Sequence, residues 1–292
     1  MVLRLSTHLS SSLPVASRLD KKIPPPQNTT VILNYHRLHQ AGVDVHACSS
    51  GDFYALGVEN FRQQMVFLRR NSFKTLLLGE FLTLPASENS RNVVITFDDG
   101  YESDLTIAVP LLRQLGFRAV FFICVEHIDR PGYLSRDQVK QLLASGMSVQ
   151  SHGFFHHDLT RLSYRKAVEE LARARLVLER MLNTKISYLA IPGGFTNERV
   201  LSAALAAGYE AICTSLPGLA RGGRKLNRVA IRRSTTQPEF EAYVRRKRIP
   251  ILANSLRYRG ASRLKQIVGV NHYEAIKLRL WQRKRKSLGL EK

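Results

Sequence analysis

Long apolar runs are missing from this chain of 292 residues. None approaches the roughly 20 residues that a helix needs to cross a bilayer, so no segment reads as a transmembrane helix. Met1 to Asp20 has no continuous apolar core and makes a poor secretory signal. Cysteine is scarce. Cys48, Cys124 and Cys213 lie far apart, two of them in apolar, strand-like runs. That usage reads as buried thiols in a reducing compartment and argues against a disulfide framework. Acidic residues are few beside basic ones, 23 against 44, and the deficit is local. Residues 221–292 hold 21 Lys and Arg against 4 Asp and Glu, a charge of +17 out of a total of +21. No internal repeat, zinc finger, recognition-helix signature or aromatic-interleaved basic motif occurs, which argues against nucleic acid as the partner of that segment. An anionic membrane surface, an acidic glycan and a solvated basic face with no partner all remain open.

What is present suits a packed α/β protein. Hydrophobic residues make up 44% of the chain and charged residues 23%. Residues 1–28 end in Pro24-Pro25-Pro26 and read as a mobile lead-in. Beyond them, short β-branched and aromatic runs alternate with longer stretches of helical period. The strand candidates are Val31–Tyr35, Phe73–Leu77, Val93–Phe97, Ala119–Cys124, Ser148–Ser151, Ile186–Ile191, Ala211–Thr214 and Val229–Ile231. Helices are expected at 57–71, 103–115, 135–145, 163–183 and 197–207, with Ser163 and Asn197 as N-caps and Gly116, Gly146 and Gly208 as stops. Such alternation predicts a parallel sheet with helices outside it, and the number of units predicts closure into a barrel, with an open doubly wound sheet as the other option. Residues 29–235 would form this domain, and 236–292 a basic helical extension.

Four strand ends carry residues able to do chemistry. The run Val93 to Phe97 stops at Asp98-Asp99-Gly100. Two adjacent carboxylates resist joint ionisation unless a cation lies between them, and one acting as ligand with the other as base would resolve that conflict. A turn with an N-capping Asp explains the pair equally well. After the fifth strand candidate comes His152-Gly-Phe-Phe-His156-His157, three of nine histidines within one loop. Two imidazoles spaced this way can grip a divalent ion, and with Asp99 they make a donor set open to water and substrate. Pro192-Gly193-Gly194 ends another strand and offers backbone N–H groups to an oxyanion, although on its own it is an ordinary loop. His36 closes the first strand and is as readily a hydrogen-bonded core residue as a catalyst.

Taken in order, Thr96-Phe97-Asp98-Asp99-Gly100, His152-Gly-Phe-Phe-His156 and Pro192-Gly193-Gly194 resemble the polysaccharide deacetylase family, carbohydrate esterase family 4, over roughly residues 29–235. The resemblance implies a deformed (β/α) barrel of about seven strands with extra C-terminal helices. It also implies one divalent ion, usually zinc, held by Asp99, His152 and His156. Asp98 would be the general base, Pro192-Gly193 the oxyanion element, and His157 a bystander. Three positions depart from the family pattern. Ala190 stands where an Arg commonly orients the base, Gly193 replaces an aromatic residue, and the late Leu-His motif is absent, His272 being the only histidine beyond His157. Tyr35-His36 is similar to an arrangement in poly-N-acetylglucosamine deacetylases, which implies His36 as the general acid.

The expected activity is therefore hydrolysis of an N-acetyl group on an amino sugar, in a polysaccharide or a lipid-linked precursor, as in cell-envelope or exopolysaccharide metabolism. Two rivals are a non-catalytic glycan-binding relative and a nucleic-acid-binding protein that uses the basic tail. The expected location is cytoplasmic, with residues 221–292 on the inner face of the membrane. Apolar and basic residues interleave there, as in Ile276-Lys277-Leu278-Arg279-Leu280-Trp281.

Overall fold

The computed structural model describes residues 29–40, 53–85, 91–256 and 260. The lead-in over 1–28, Cys48, His272 and the stretch from Ile276 lie outside the described residues. The strands are β1 (Val31–Tyr35), β2 (Leu38–His39), β3 (Leu56–Gly57), β4 (Lys74–Thr75), β5 (Asn92–Asp99), β6 (Val120–Ile123), β7 (Ser148–Ser151), β8 (Tyr188–Ala190), β9 (Ala211–Cys213), β10 (Lys225–Leu226) and β11 (Val229–Ala230). The helices are α1 (Val58–Arg70), α2 (Leu78–Thr83), α3 (Val109–Gln114), α4 (Arg136–Ala144), α5 (Tyr164–Leu182), α6 (Glu198–Ala206) and α7 (Gln237–Val244).

One sheet orders the strands β10-β9-β8-β7-β6-β5-β1-β11, with β4 added on β5, nine in all. Every pairing in it is parallel. Its edge strands β10 and β11 are consecutive in the chain and are joined only through Asn227 and Arg228. The sheet must therefore curl until its edges meet, closing the barrel with a covalent seam in place of a hydrogen-bonded ladder. The barrel agrees with the one of about seven strands expected; the surplus comes from two-residue strands such as β10, which are too short to show a period. The separate pair β2–β3 was not foreseen for the same reason.

Strand alternation divides the core in two. Ile32, Val94, Val120, Phe122, Ala190, Ala211 and Leu226 form a small inner cluster, stoppered by Leu78 and Phe81 of α2. Leu33, Ile95, Phe97, Phe121, Val149 and Leu189 join a larger cluster beneath α1, α5 and α6. Continuing the inner register toward the C-terminal ends reaches Asn34 on β1 and His36 just after it, Thr96 and Asp98 on β5, and His152 after β7. The apolar floor therefore gives way to polar residues at one end of the barrel, the end where barrel enzymes carry their chemistry.

The expected helices form. Ser163 and Asn197 cap α5 and α6, their side chains accepting from Lys166 N and Val200 N. Gly116, Gly146 and Gly208 follow their helices with φ of +70°, +79° and +95°. The segment expected as one helix over 103–115 instead begins as a π turn, Asp104–Ala108, ahead of α3. Pro110 has no N–H to donate, and the wider turn absorbs the break. Of the C-terminal extension, α7 is formed and the chain is helical again over 248–256.

Candidate active site

The two carboxylates are separated by backbone conformation. Asp98 stays in the inner register of β5, while Asp99 has φ of +79°, a left-handed conformation that Asp tolerates better than most residues. The turn thus begins one residue before Gly100. It lets neighbouring side chains, which a strand would send to opposite faces, reach the same cleft.

Asp98 is 2% exposed and makes a two-pronged ion pair with Arg228. Arg228 Nη1 donates to Oδ1 and Nη2 to Oδ2, each at 2.7 Å. Arg228 is itself buried. Its Nη1 also donates to Thr96 Oγ1 at 3.2 Å and its Nε to the Thr214 carbonyl at 3.2 Å. Burial alone would raise the Asp98 carboxyl, but the Arg228 charge, with His152 and the guanidinium hydrogen bonds, holds it below the ordinary carboxylate range. Arg228 thus supplies the contact that Ala190 cannot. Sequence reasoning missed it because it counted among the basic residues of the last quarter; its one signal was a lone Arg directly before a barrel strand.

Asp99 Oδ1 lies 3.2 Å from His152 Nε2 and 3.3 Å from His156 Nε2. It is buried yet accepts no well-aligned hydrogen bond from either ring. The three donor atoms lie close together. Atoms bound at about 2.0–2.1 Å to one tetrahedral ion lie about 3.3 Å apart, so the spacing fits a single zinc-like cation. Among the described residues, Asp99, His152 and His156 are the group of three such side chains with donor atoms mutually within 4.8 Å. The other ring nitrogen of His152 is fixed, because Nδ1 sits 2.9 Å from the Ala190 carbonyl and so carries the proton, leaving Nε2 as donor to a metal. Asp99 is held well below its usual range: burial works against ionisation, and the facing imidazoles of His152 and His156, with His36, outweigh it. Asp104, fully buried with neither oxygen partnered among the described residues, goes the other way, pushed well up by burial and by Asp99 and Asp98. The surroundings thus favour Asp98 and Asp99 as ions and disfavour a third charge on Asp104.

His36 is brought to the same cleft. Burial lowers its pKa, partly offset by the charges of Asp99 and Asp98. Its ring stacks on Tyr54 at 4.6 Å, and its Nδ1 is buried without a hydrogen-bond partner among the described residues. Pro192 and Gly193 follow β8. Gly193 has φ of +63°, and a Cβ there would lie 3.1 Å from the Phe195 ring, so an aromatic residue at this position has neither the conformation nor the room. His157 is exposed, stacks on Phe155 at 5.2 Å and stays outside the donor set. A further wall went unforeseen. The ring of His127 lies 4.3 Å from that of Tyr133 and 5.7 Å from that of His156, and Tyr133 stacks on Tyr101 at 4.8 Å.

Fold and side chains fit the class of (β/α)-barrel hydrolases, with the clustered carboxylates and imidazoles at the C-terminal strand ends. Residues 86–212 match the family model for polysaccharide deacetylase. The chain is 30% identical over 205 residues to the polysaccharide deacetylase homologue YxkH of Bacillus subtilis, covering 68% of this chain and 74% of that protein. It is 26% identical over 183 residues to a poly-β-1,6-N-acetyl-D-glucosamine N-deacetylase of Staphylococcus aureus, covering 58% of this chain and 62% of that one. In fold it is similar to the Streptococcus pyogenes deacetylase PplD solved with acetate, at a TM-score of 0.67 and 24% identity over 75% of this chain and 98% of that one. The chain belongs to the polysaccharide deacetylase family.

Proposed function

We propose that this protein is a divalent-metal-dependent deacetylase that hydrolyses the N-acetyl group of an amino sugar in a polysaccharide or its lipid-linked precursor. The observation that carries the reading is the pairing of a buried, Arg-tethered carboxylate with an adjacent carboxylate that faces two imidazoles. The substrate class is supported by the relative named for poly-N-acetylglucosamine.

Asp99, His152 and His156 would hold the ion. Bound there, zinc or a similar cation supplies Lewis-acid polarisation of the acetamide carbonyl and acidifies the attacking water. Asp98, kept ionised by Arg228, accepts the proton that this water loses as it attacks. The Gly193 N–H donates to the oxyanion. His36 gives a proton to the departing nitrogen, so the C–N bond breaks to acetate and a free amine. With Nδ1 buried, the proton that His36 transfers sits on Nε2. The alternative, a glycan-binding relative without turnover, gives no reason to bury an Arg–Asp pair beneath the donor set.

The test is acetate release from N-acetylated glucosamine oligomers, with and without chelator. Activity should vanish on chelation and return with added zinc. Asp98→Asn should keep the metal and lose turnover. Metal binding with no acetate from any oligomer would favour the glycan-binding alternative.

A further inference from the structure

The two histidines of the donor set are four residues apart in a loop, and a loop does not hold itself. Four successive amides account for its shape. His152 N donates to the Ile123 carbonyl at 2.8 Å, and Gly153 N to Ser151 Oγ at 3.2 Å. Phe154 N and Phe155 N both donate to one oxygen of Glu170, at 2.8 and 3.1 Å. Glu170 lies on α5, is 7% exposed, and its second oxygen has no partner among the described residues. One turn further along α5, the Arg173 guanidinium lies 3.9 Å from the centre of the Phe154 ring. The loop closes tightly on the carboxylate: a Cβ at Gly153, whose φ is +76°, would sit 3.2 Å from Glu170 Oε1 and 3.1 Å from Pro192 Cγ. At the far end His156 adopts φ of +54°, a left-handed conformation that residues other than glycine take up only at some cost.

We infer that Glu170, outside the donor set itself, is a positioning residue that holds the His152–His156 loop in the conformation where both imidazoles face Asp99. A carboxylate is suited to this because one acidic oxygen accepts two N–H groups at once, and bonds to a charged acceptor are about twice as strong as neutral ones. It fixes the two residues directly before His156 and so offsets the strain at that residue. This inference rests on the metal-site reading proposed above.

Dissociation constants for Zn2+, measured by competition with a chelating dye, test it on the purified full-length protein, together with the absorption spectrum of the Co2+-substituted form. Glu170→Asp keeps the charge but falls one methylene short of both amides, and should weaken Zn2+ binding about 10–100-fold, the range for outer partners of metal ligands. Its Co2+ spectrum should change shape. Glu170→Gln keeps the reach, and should recover affinity to within a few-fold of wild type. Wild-type affinity in Glu170→Asp overturns the inference. So does a lowered melting temperature of the metal-free variant with an unchanged dissociation constant, since that marks a structural role only. His156→Ala is the control: if it binds as tightly as wild type, or if wild type binds no Zn2+, the metal site itself fails. If only Glu170→Asp behaves as wild type, that site stands and the positioning role alone falls.

Discussion

At the scale of single residues, the site turns on how burial and charge share out protons among Asp98, Asp99, Asp104 and His36. Burial penalises every one of these as an ion, and only a nearby opposite charge reverses the sign. Asp98 has Arg228 and stays ionised; Asp104 has no partner among the described residues and is pushed well up. His36 is lowered by burial, which makes its imidazolium a ready donor. As the proposed general acid, His36 must be protonated to act, so its titration should appear as the alkaline fall of kcat/KM. His36→Ala is expected to lose on the order of 10²–10⁴ in rate and to flatten that fall. Steady-state kinetics across pH check both, and a loss below about tenfold would leave the acid to be sought elsewhere. From its residue type and strand end alone His36 was one of two equal options, and only the family resemblance implied the acid role. The motif fixed its strand end, but whether it lay in the outer core or the inner register depended on the barrel around it.

Elements were more legible than the sheet they build. Four helices appear where period and capping placed them, and α3 fills the end of the fifth, because caps and glycine stops are local signals. Strands of two residues were not legible, and neither was the π turn before Pro110. The helical stretch 248–256 raises a matter of its own scale. Ile249, Leu252 and Leu256 lie along one face at 81%, 61% and 69% exposure, directly after Arg245-Arg246-Lys247-Arg248. An apolar stripe beside basic residues suits the interface of an anionic membrane, where each base contributes about 1 kcal/mol. Among the described residues no helix is long and apolar enough to cross a membrane. We propose that this helix and the basic residues following it attach the enzyme to anionic lipid. Co-sedimentation with phosphatidylserine vesicles should be seen at low salt, weaken as salt is added and fall sharply in Leu252→Ser/Leu256→Ser. Protein that stays in the supernatant at low salt would refute the attachment.

For the whole molecule, the notable contact is the one that joins the barrel's seam to its interior. Arg228 sits between the edge strands β10 and β11, yet its fork reaches Asp98 on β5, 130 residues away in sequence. Removing one partner of a buried pair strands the other as an uncompensated charge, so Arg228→Met should cost about 3–5 kcal/mol in denaturant unfolding near neutral pH. The sign with pH follows from linkage. In the wild type the folded pKa of Asp98 is depressed. Its contribution is therefore complete above the unfolded value of about 3.9 and is lost as pH falls through the folded pKa. In Arg228→Met, burial is opposed only by the charges of His152 and His36, and that pKa rises. The stability gap between variant and wild type should narrow toward acid pH, and the acidic limb of kcat/KM should move to higher pH. A gap constant with pH, or an unmoved limb, would mean that Arg228 does not govern the base.

What the chain determined by itself was everything carried by neighbours in sequence: the strand–helix alternation, the helix ends, and the arrival of Asp98, Asp99, His152 and Pro192 at the ends of apolar runs. A strand delivers its last residues to one end of a parallel barrel whatever lies across from it, so that placement needs no knowledge of partners. Tertiary structure alone decided which charge met which. Arg228 and Lys247 look alike in a basic segment, and Glu169 and Glu170 look alike in an amphipathic helix. Only the closing of the seam drew Arg228 inside, and only the packing of α5 against the histidine loop turned Glu170 toward two amides. Charge and period are one-dimensional properties, while the loss of water that makes a buried charge bind its partner strongly depends on what the rest of the fold brings around it.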